Sequence, residues 1–204
     1  MSAVLAPPPT VVSPPRPMVA PRPYRHTVRQ FHQMGELGFF EGRRASLIHG
    51  LIFEEGPMNP PHAIAGEKTE DLIRDLFRGW RLRVQKPLIL GLDIDPEPDV
   101  AVVAGQPTLA GGHPSTAALV IEIADSSLDY DLTVKAELYA TAGIPEYWVL
   151  DVDGRALHVF RDPAPLPAGL TAVAYRTHDT YGDTQAVAPL AVPTAAVRVA
   201  DLLP

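Results

Sequence analysis

The chain has 204 residues, an apolar fraction of 46%, a formal net charge of −7 and no cysteine. Without cysteine there is no disulfide framework, no thiolate zinc site and no cysteine nucleophile. The acidic balance argues against a strongly basic nucleic-acid binder, whose affinity comes mainly from phosphate contacts.

Residues 1–24 contain eight prolines, among them Pro7, Pro8, Pro9, Pro14 and Pro15. They break any apolar core of a secretory signal, and no run of about 18 apolar residues follows that could span a membrane. A proline-rich disordered arm over 1–24, a single domain over 25–204 and a cytoplasmic location are therefore expected.

Apolar spacing at Val28, Phe31, Met34 and Leu37, behind Thr27 as N-cap, predicts a helix over His26–Phe40. Ser46–Glu55 has strand character around Gly50 and predicts a hairpin or a bent strand. After a proline-broken loop at Pro57–Pro61, His62–Trp80 predicts a helix with Ile64, Leu72, Ile73, Leu76 and Phe77 on its apolar side. Strands are expected at Leu82–Leu90 and Asp99–Ala104, separated from the next by a loop, Gly105–Ser115. Ala117–Ala124 is apolar on both faces apart from Glu122, as in a central strand covered on both sides. Tyr130–Ala142 predicts a helix stopped by Gly143 and Pro145. Strands Glu146–Asp151 and Ala156–Arg161 flank the turn signal Asp153-Gly154. The tail, Pro163–Pro204, suggests short edge strands. Alternation of these elements points to one mixed sheet with helices packed against it.

Glu122 is the anomaly in this pattern. An unpaired carboxylate in Leu119-Val120-Ile121-Glu122-Ile123-Ala124 would cost several kcal/mol or shift its pKa, so a metal, a cation or a hydrogen-bond network must compensate. Strand alternation puts Glu122 on the face of Val120 and Ala124, and Asp99 on the face of Ala101 and Val103. If the two strands are neighbours, the carboxylates meet and form a hard-oxygen site of the kind that holds Mg²⁺. The competing account is a strand-capping Asp99 and a core Glu122 paired to an arginine. Lys135, on the next helix, can lean over the sheet to orient or deprotonate a water or steady a phosphate oxygen. It can equally form an i, i+4 pair with Asp131. Tyr139 and Trp148 are expected in the core.

Other motifs fail. Asp93-x-Asp95-x-Glu97-x-Asp99 lacks the glycine and the final glutamate of a calcium loop. Seven histidines show no H-x-x-x-H pair, no glycine-rich loop precedes a helix, and Ser126 and Ser127 have no nucleophile-elbow context.

Pro98-Asp99, the string Val120–Ser127, the spacing Asp131…Lys135…Tyr139 and the string Ala142-Gly143-Ile144-Pro145-Glu146-Tyr147-Trp148-Val149-Leu150-Asp151 together resemble the Uma family of restriction-endonuclease-like proteins. That family is a branch of the PD-(D/E)xK nuclease superfamily. The resemblance runs from about His26 to Arg161, with weaker marks to Leu203. It implies an α/β (α+β) restriction-endonuclease-like core, a central mixed β-sheet flanked by helices, and Mg²⁺-assisted hydrolysis of DNA phosphodiesters, with Mn²⁺ as a substitute. Asp99 matches the PD aspartate and Glu122 the second acidic residue. The superfamily's usual lysine position is Ala124 here, and the resemblance implies that Lys135 replaces it. Gln85 ahead of Pro87 and His62 at the head of the first core helix also match. His62 would contact phosphate at a helix N-terminus or simply start the helix, and Glu67, one turn on, would add a third carboxylate.

Phosphate contacts would come from Arg74, Arg78, Arg81, Arg83 and Lys86, from Arg43 and Arg44, and from arm arginines such as Arg16, Arg22, Arg25 and Arg29. Cutting both strands of a duplex would favour a homodimer. Two alternatives stay open: a catalytically inactive interaction scaffold that needs no metal, and a nuclease of RNA or single strands, disfavoured by the few aromatics available for stacking.

Overall fold

The computed structural model describes residues 21–106, 112–167 and 172–204. Most of the expected proline-rich arm, residues 1–20, lies outside them.

Helix α1 (Val28–Glu36) starts at a capping box. Gln30 N–H donates to the Thr27 hydroxyl at 3.3 Å, and Thr27 N–H donates to Gln30 Oε1 at 2.9 Å. Val28 and Phe31 bury against Leu47 of a hairpin formed by β1 (Ala45–Ile48) and β2 (Leu51–Glu54). The turn residues His49 and Gly50 have φ of +50° and +75°, the paired left-handed conformation that suits a two-residue hairpin loop.

Helix α2 (Pro60–Leu76) begins two residues earlier than expected. Asn59 is the N-cap and accepts from His62 N–H at 3.0 Å. Pro60 and Pro61 occupy the first turn, where a missing N–H costs nothing. Ala65, Thr69 and Ile73 form its buried stripe, with Leu72 and Leu76 alongside. Ile64 is 45% exposed, because it lies on the row of Lys68 rather than on that of Ala65.

The central sheet has six strands in the order β3-β4-β5-β6-β7-β8. They are β3 (Arg81–Val84), β4 (Val100–Val103), β5 (Leu119–Ala124), β6 (Glu146–Asp151), β7 (Ala156–Pro165) and β8 (Val173–Gly182). Only β5 and β6 run parallel, and a helical crossover joins them. The strand expected to reach Leu90 ends at Val84, since Gln85 turns to φ +48° and Pro87 has no N–H to give a ladder. The tail departs from short edge strands in one place: the ten-residue β8 pairs with β7 along its length. Two-residue strands β9 (Ala186–Val187) and β10 (Val197–Arg198) and a final turn, α5 (Val199–Leu202), complete the chain.

The crossover starts as α3 (Leu128–Tyr130), widens to a π-helical turn over Asp131–Lys135 and continues as α4 (Ala136–Thr141). It covers one face of the sheet, where Leu138, Tyr139 and Ile144 meet Val120, Ala124, Tyr147 and Val149. On the opposite face, Ile73 and Phe77 of α2 and Leu202 of α5 cover Val102, Ile121, Ile123, Trp148 and Leu150. β5 is buried at every residue. Its apolar character on both faces follows from this double cover.

Candidate active site

Val100 of β4 pairs with Ile121 of β5, so continuing the antiparallel register sets Asp99 opposite Glu122. Both point to the face covered by α3 and α4. Ile123 N–H donates to Asp99 Oδ2 at 2.9 Å, tying the aspartate across the strands. His62 Nε2 approaches the same oxygen at 3.5 Å from the head of α2. Among the described residues, Asp99 Oδ1 has only a long 3.5 Å contact from the Gln85 side-chain amide.

Glu122 is 3% exposed. Its Oε1 accepts from the Tyr139 hydroxyl at 2.7 Å. Its Oε2 lies 3.1 Å from Lys135 Nζ, and the same ammonium lies 3.0 Å from Asp131 Oδ1. Asp131 is held in turn by the Ser127 hydroxyl, which donates to Oδ2 at 2.6 Å. Lys135 thus pairs with Asp131 one turn away and leans over the sheet to Glu122. The π-helical turn has Asp131 and Lys135 at its two ends. Such turns occur mostly as local bulges, often at functional sites.

The Glu122 pKa is raised to about 8: burial is the largest cause and Asp99 and Asp131 add to it, against Lys135 and the Tyr139 hydroxyl. Burial works against Lys135's charge, but Glu122, Asp131 and Asp99 outweigh it and hold the ammonium above its ordinary range. An ammonium held protonated has no lone pair, which favours a positioning cation over a proton acceptor. Asp99 stays below the usual carboxylate range: burial opposes its charge, yet the His62 bond and charge, the Ile123 N–H and Lys135 prevail. His62 is raised by its bond to Asp99.

These groups line a cavity of about 400 Å³ between the head of α2, the β1–β2 hairpin and the π-helical turn. Its wall is strongly acidic, with Glu54, Glu55, Glu97 and Asp125 beside the central carboxylates, against Arg44, Lys135 and His62. Among the described residues the Tyr130 hydroxyl and His62 Nδ1 are buried without a hydrogen-bond partner, and both residues line this cavity. Buried polar groups are normally paired, so each is a place for a bound oxygen.

The donor set fits a hard divalent cation. Asp99, Glu122 and Asp131 face one ammonium and one imidazole, so the site is rich in carboxyl oxygens. Mg²⁺ is commonly held by one or two carboxylates and keeps several waters. Asp99 and Glu122 are the pair that would hold it. Among the described residues no group of three or more His, Asp or Glu converges as a metal cluster. Glu67 accordingly stays apart: it is exposed and lines a second cavity of about 200 Å³ with Gln85 and His62.

Sequence patterning placed Tyr139 in the core but missed its bond to Glu122, and it missed Tyr130. The motif spacing did hold a signal for Tyr139, one helical turn beyond Lys135. Within the expected basic patch, among the described residues, only Arg83 is buried; Arg74, Arg78 and Arg43 pair on the surface and stay exposed. Arg83 is buried and donates to the Pro87 carbonyl at 2.8 Å. Arg74 pairs with Glu70, Arg78 with Asp75, Arg43 with Glu54 and Arg44 with Glu55. Lys86 is also exposed, and Arg81 is half-buried.

Residues 28–198 match the model of the Uma2 family, described as "Putative restriction endonuclease". Among solved structures, a chain titled "putative nuclease belonging to DUF820" from Anabaena variabilis superposes with a TM-score of 0.62. It shares 16% identity over 78% of this chain and 88% of that one, a likeness of fold. No curated protein matches the chain.

Proposed function

Because this chain belongs to the Uma2 family, we propose that it is a divalent-metal-dependent endonuclease hydrolysing DNA phosphodiester bonds at Asp99, Glu122 and Lys135. One observation supports this above the rest: two carboxylates face each other on adjacent strands, with one ammonium shared between Glu122 and Asp131. When bound, Mg²⁺ or Mn²⁺ would offset the phosphate's negative charge and acidify a water.

The chain's own residues would do the rest. Asp99 is kept ionised with one oxygen free of close donors. Lys135, anchored by Asp131, would donate to a non-bridging phosphate oxygen as negative charge grows there. Tyr139 fixes the rotamer of Glu122 through its hydroxyl. His62, at the head of α2, would donate to a second phosphate oxygen, where the helix N-terminus already favours an anion. Water would attack phosphorus in line, one P–O ester bond would break, and the departing oxygen would take up a proton.

The acidic wall of the cavity repels a polyanion, so DNA binding would be weak and salt-sensitive without the cation. Cleavage of both strands would take two copies. The test is incubation of supercoiled plasmid with Mg²⁺, with Mn²⁺ or with chelator, for the natural protein and for Asp99→Asn and Glu122→Ala. Metal-dependent nicking lost in both variants is the expected result. Undiminished nicking by either correctly folded variant would sink the assignment. No nicking by the natural protein, with no rise in melting temperature on adding metal, would point to the interaction scaffold instead.

A further inference from the structure

Sequence spacing leaves the histidines scattered, but the β7–β8 pairing brings two of them together far from the acidic cavity. His158 pairs with Thr180 and Phe160 with His178, so His158 and His178 stand diagonally across the strands on one face. His158 Nδ1 and His178 Nε2 are 3.1 Å apart. The His178 ring lies on Phe160, centroids 4.0 Å apart and planes 15° from parallel, which fixes its orientation. Phe160 itself is buried, while His178 is exposed on the outermost strand of the sheet.

We propose that His158 and His178 form a two-imidazole site for a borderline divalent transition metal, with Cu²⁺, Ni²⁺ and Zn²⁺ as its class of ligand. The separation, that of a hydrogen bond in the metal-free pair, also falls within the range spanned by two ligands on one ion. With metal–nitrogen bonds of about 2.0–2.1 Å, nitrogens of a four-coordinate ion lie about 3.3 Å apart and those of a six-coordinate ion about 2.9 Å. In the metal-free pair one nitrogen must carry the hydrogen that the other accepts, and the ion takes that proton's place. Burial and the neighbouring His178 keep His158 below its ordinary pKa against the charge of Asp151. Burial does the same for His178 against Asp179. Both directions favour the neutral form, which is the one that ligates. Thr180 Oγ1 lies 3.1 Å from His158 Nδ1 and competes for it until an ion binds. No third His, Asp or Glu joins the pair among the described residues, so water completes the shell. Imidazole ligands select this metal class over Mg²⁺, which separates the pair from the all-oxygen site around Asp99.

The experiment uses the full chain without a histidine tag, titrated with Cu²⁺, Ni²⁺, Zn²⁺ and Mg²⁺ by calorimetry. Histidine ring resonances are followed by NMR during addition of Cu²⁺. Cu²⁺ should bind most tightly and Mg²⁺ should leave these rings unchanged. Resonances of His158 and His178 should broaden first. His158→Ala and His178→Ala should each weaken Cu²⁺ about tenfold or more, whereas His49→Ala should have no effect. Uniform broadening of all histidines, no binding to the natural chain, or unchanged affinity in the double variant would overturn the site. The broadening pattern needs no variant, so it decides the matter even if a substitution loosens the edge strand.

Discussion

Glu122→Gln separates a buried neutral carboxyl from a buried ion pair. The carboxyl's pKa is about 8 in the folded chain against an ordinary 4.5. The folded protein therefore takes up a proton that the unfolded chain has already released. For a group raised in this way, the stabilising contribution is complete below about pH 4.5 and is lost as pH rises through about 8. The loss approaches about 1.4 kcal/mol for each pH unit inside that window. Glutamine cannot ionise, and its amide can turn its oxygen to Lys135 and its N–H to the Tyr139 oxygen. The natural chain should thus lose up to about 3 kcal/mol relative to Glu122→Gln between about pH 5.5 and 7.5. For a chain of this size that is about 6–12 °C of melting temperature. Glu97 titrates in both proteins and cancels in the difference, whereas His62, raised by its bond to Asp99 and in part by Glu122, cancels only in part; Lys135 stays charged throughout. Urea unfolding or thermal melts with chelator at several pH values make the comparison. Parallel stability curves for the two proteins would refute the argument, since they would mean that Glu122 is ionised at every pH tested.

Two further expectations concern residues outside the cavity. Glu146 is fully buried; it takes Arg161 at 2.6 and 2.9 Å, Trp148 Nε1 at 2.9 Å and Leu190 N–H at 2.7 Å. Glu146→Ala strands the Arg161 guanidinium and should cost about 3–5 kcal/mol in urea unfolding; a loss below about 1 kcal/mol would contradict the accounting. Gly50 has φ +75°, and an added Cβ would lie 2.6 Å from Arg25 Cβ and 3.0 Å from the His26 carbonyl oxygen. Gly143 has φ +71° with nothing within 4 Å. Gly143→Ala should cost the backbone preference alone, about 1–2 kcal/mol, and Gly50→Ala distinctly more; equal losses would show that the contact with Arg25 relaxes freely.

The sequence by itself determined the period of most elements and so the face of most of their side chains, with Ile64 and the residues after Val84 as exceptions. Strand alternation put Asp99 and Glu122 on one surface, the unbroken apolar run marked β5 as central, and the string from Ala142 to Asp151 carried the family. Local chemistry was equally legible at the Thr27 cap and the His49-Gly50 turn. It did not reveal which side chains from distant segments would meet. Arg83 looked like a phosphate ligand and is a buried donor to Pro87; Tyr139 looked like filler and holds Glu122. Lys135 reaches Glu122 from a π-helical turn that helical spacing does not predict. His158 and His178 are twenty residues apart and meet only through strand register. The physical reason is common to all of them. Periodicity assigns a face, whereas pairing and charge balance depend on which strand or helix lies opposite, and that is settled only when the sheet is assembled.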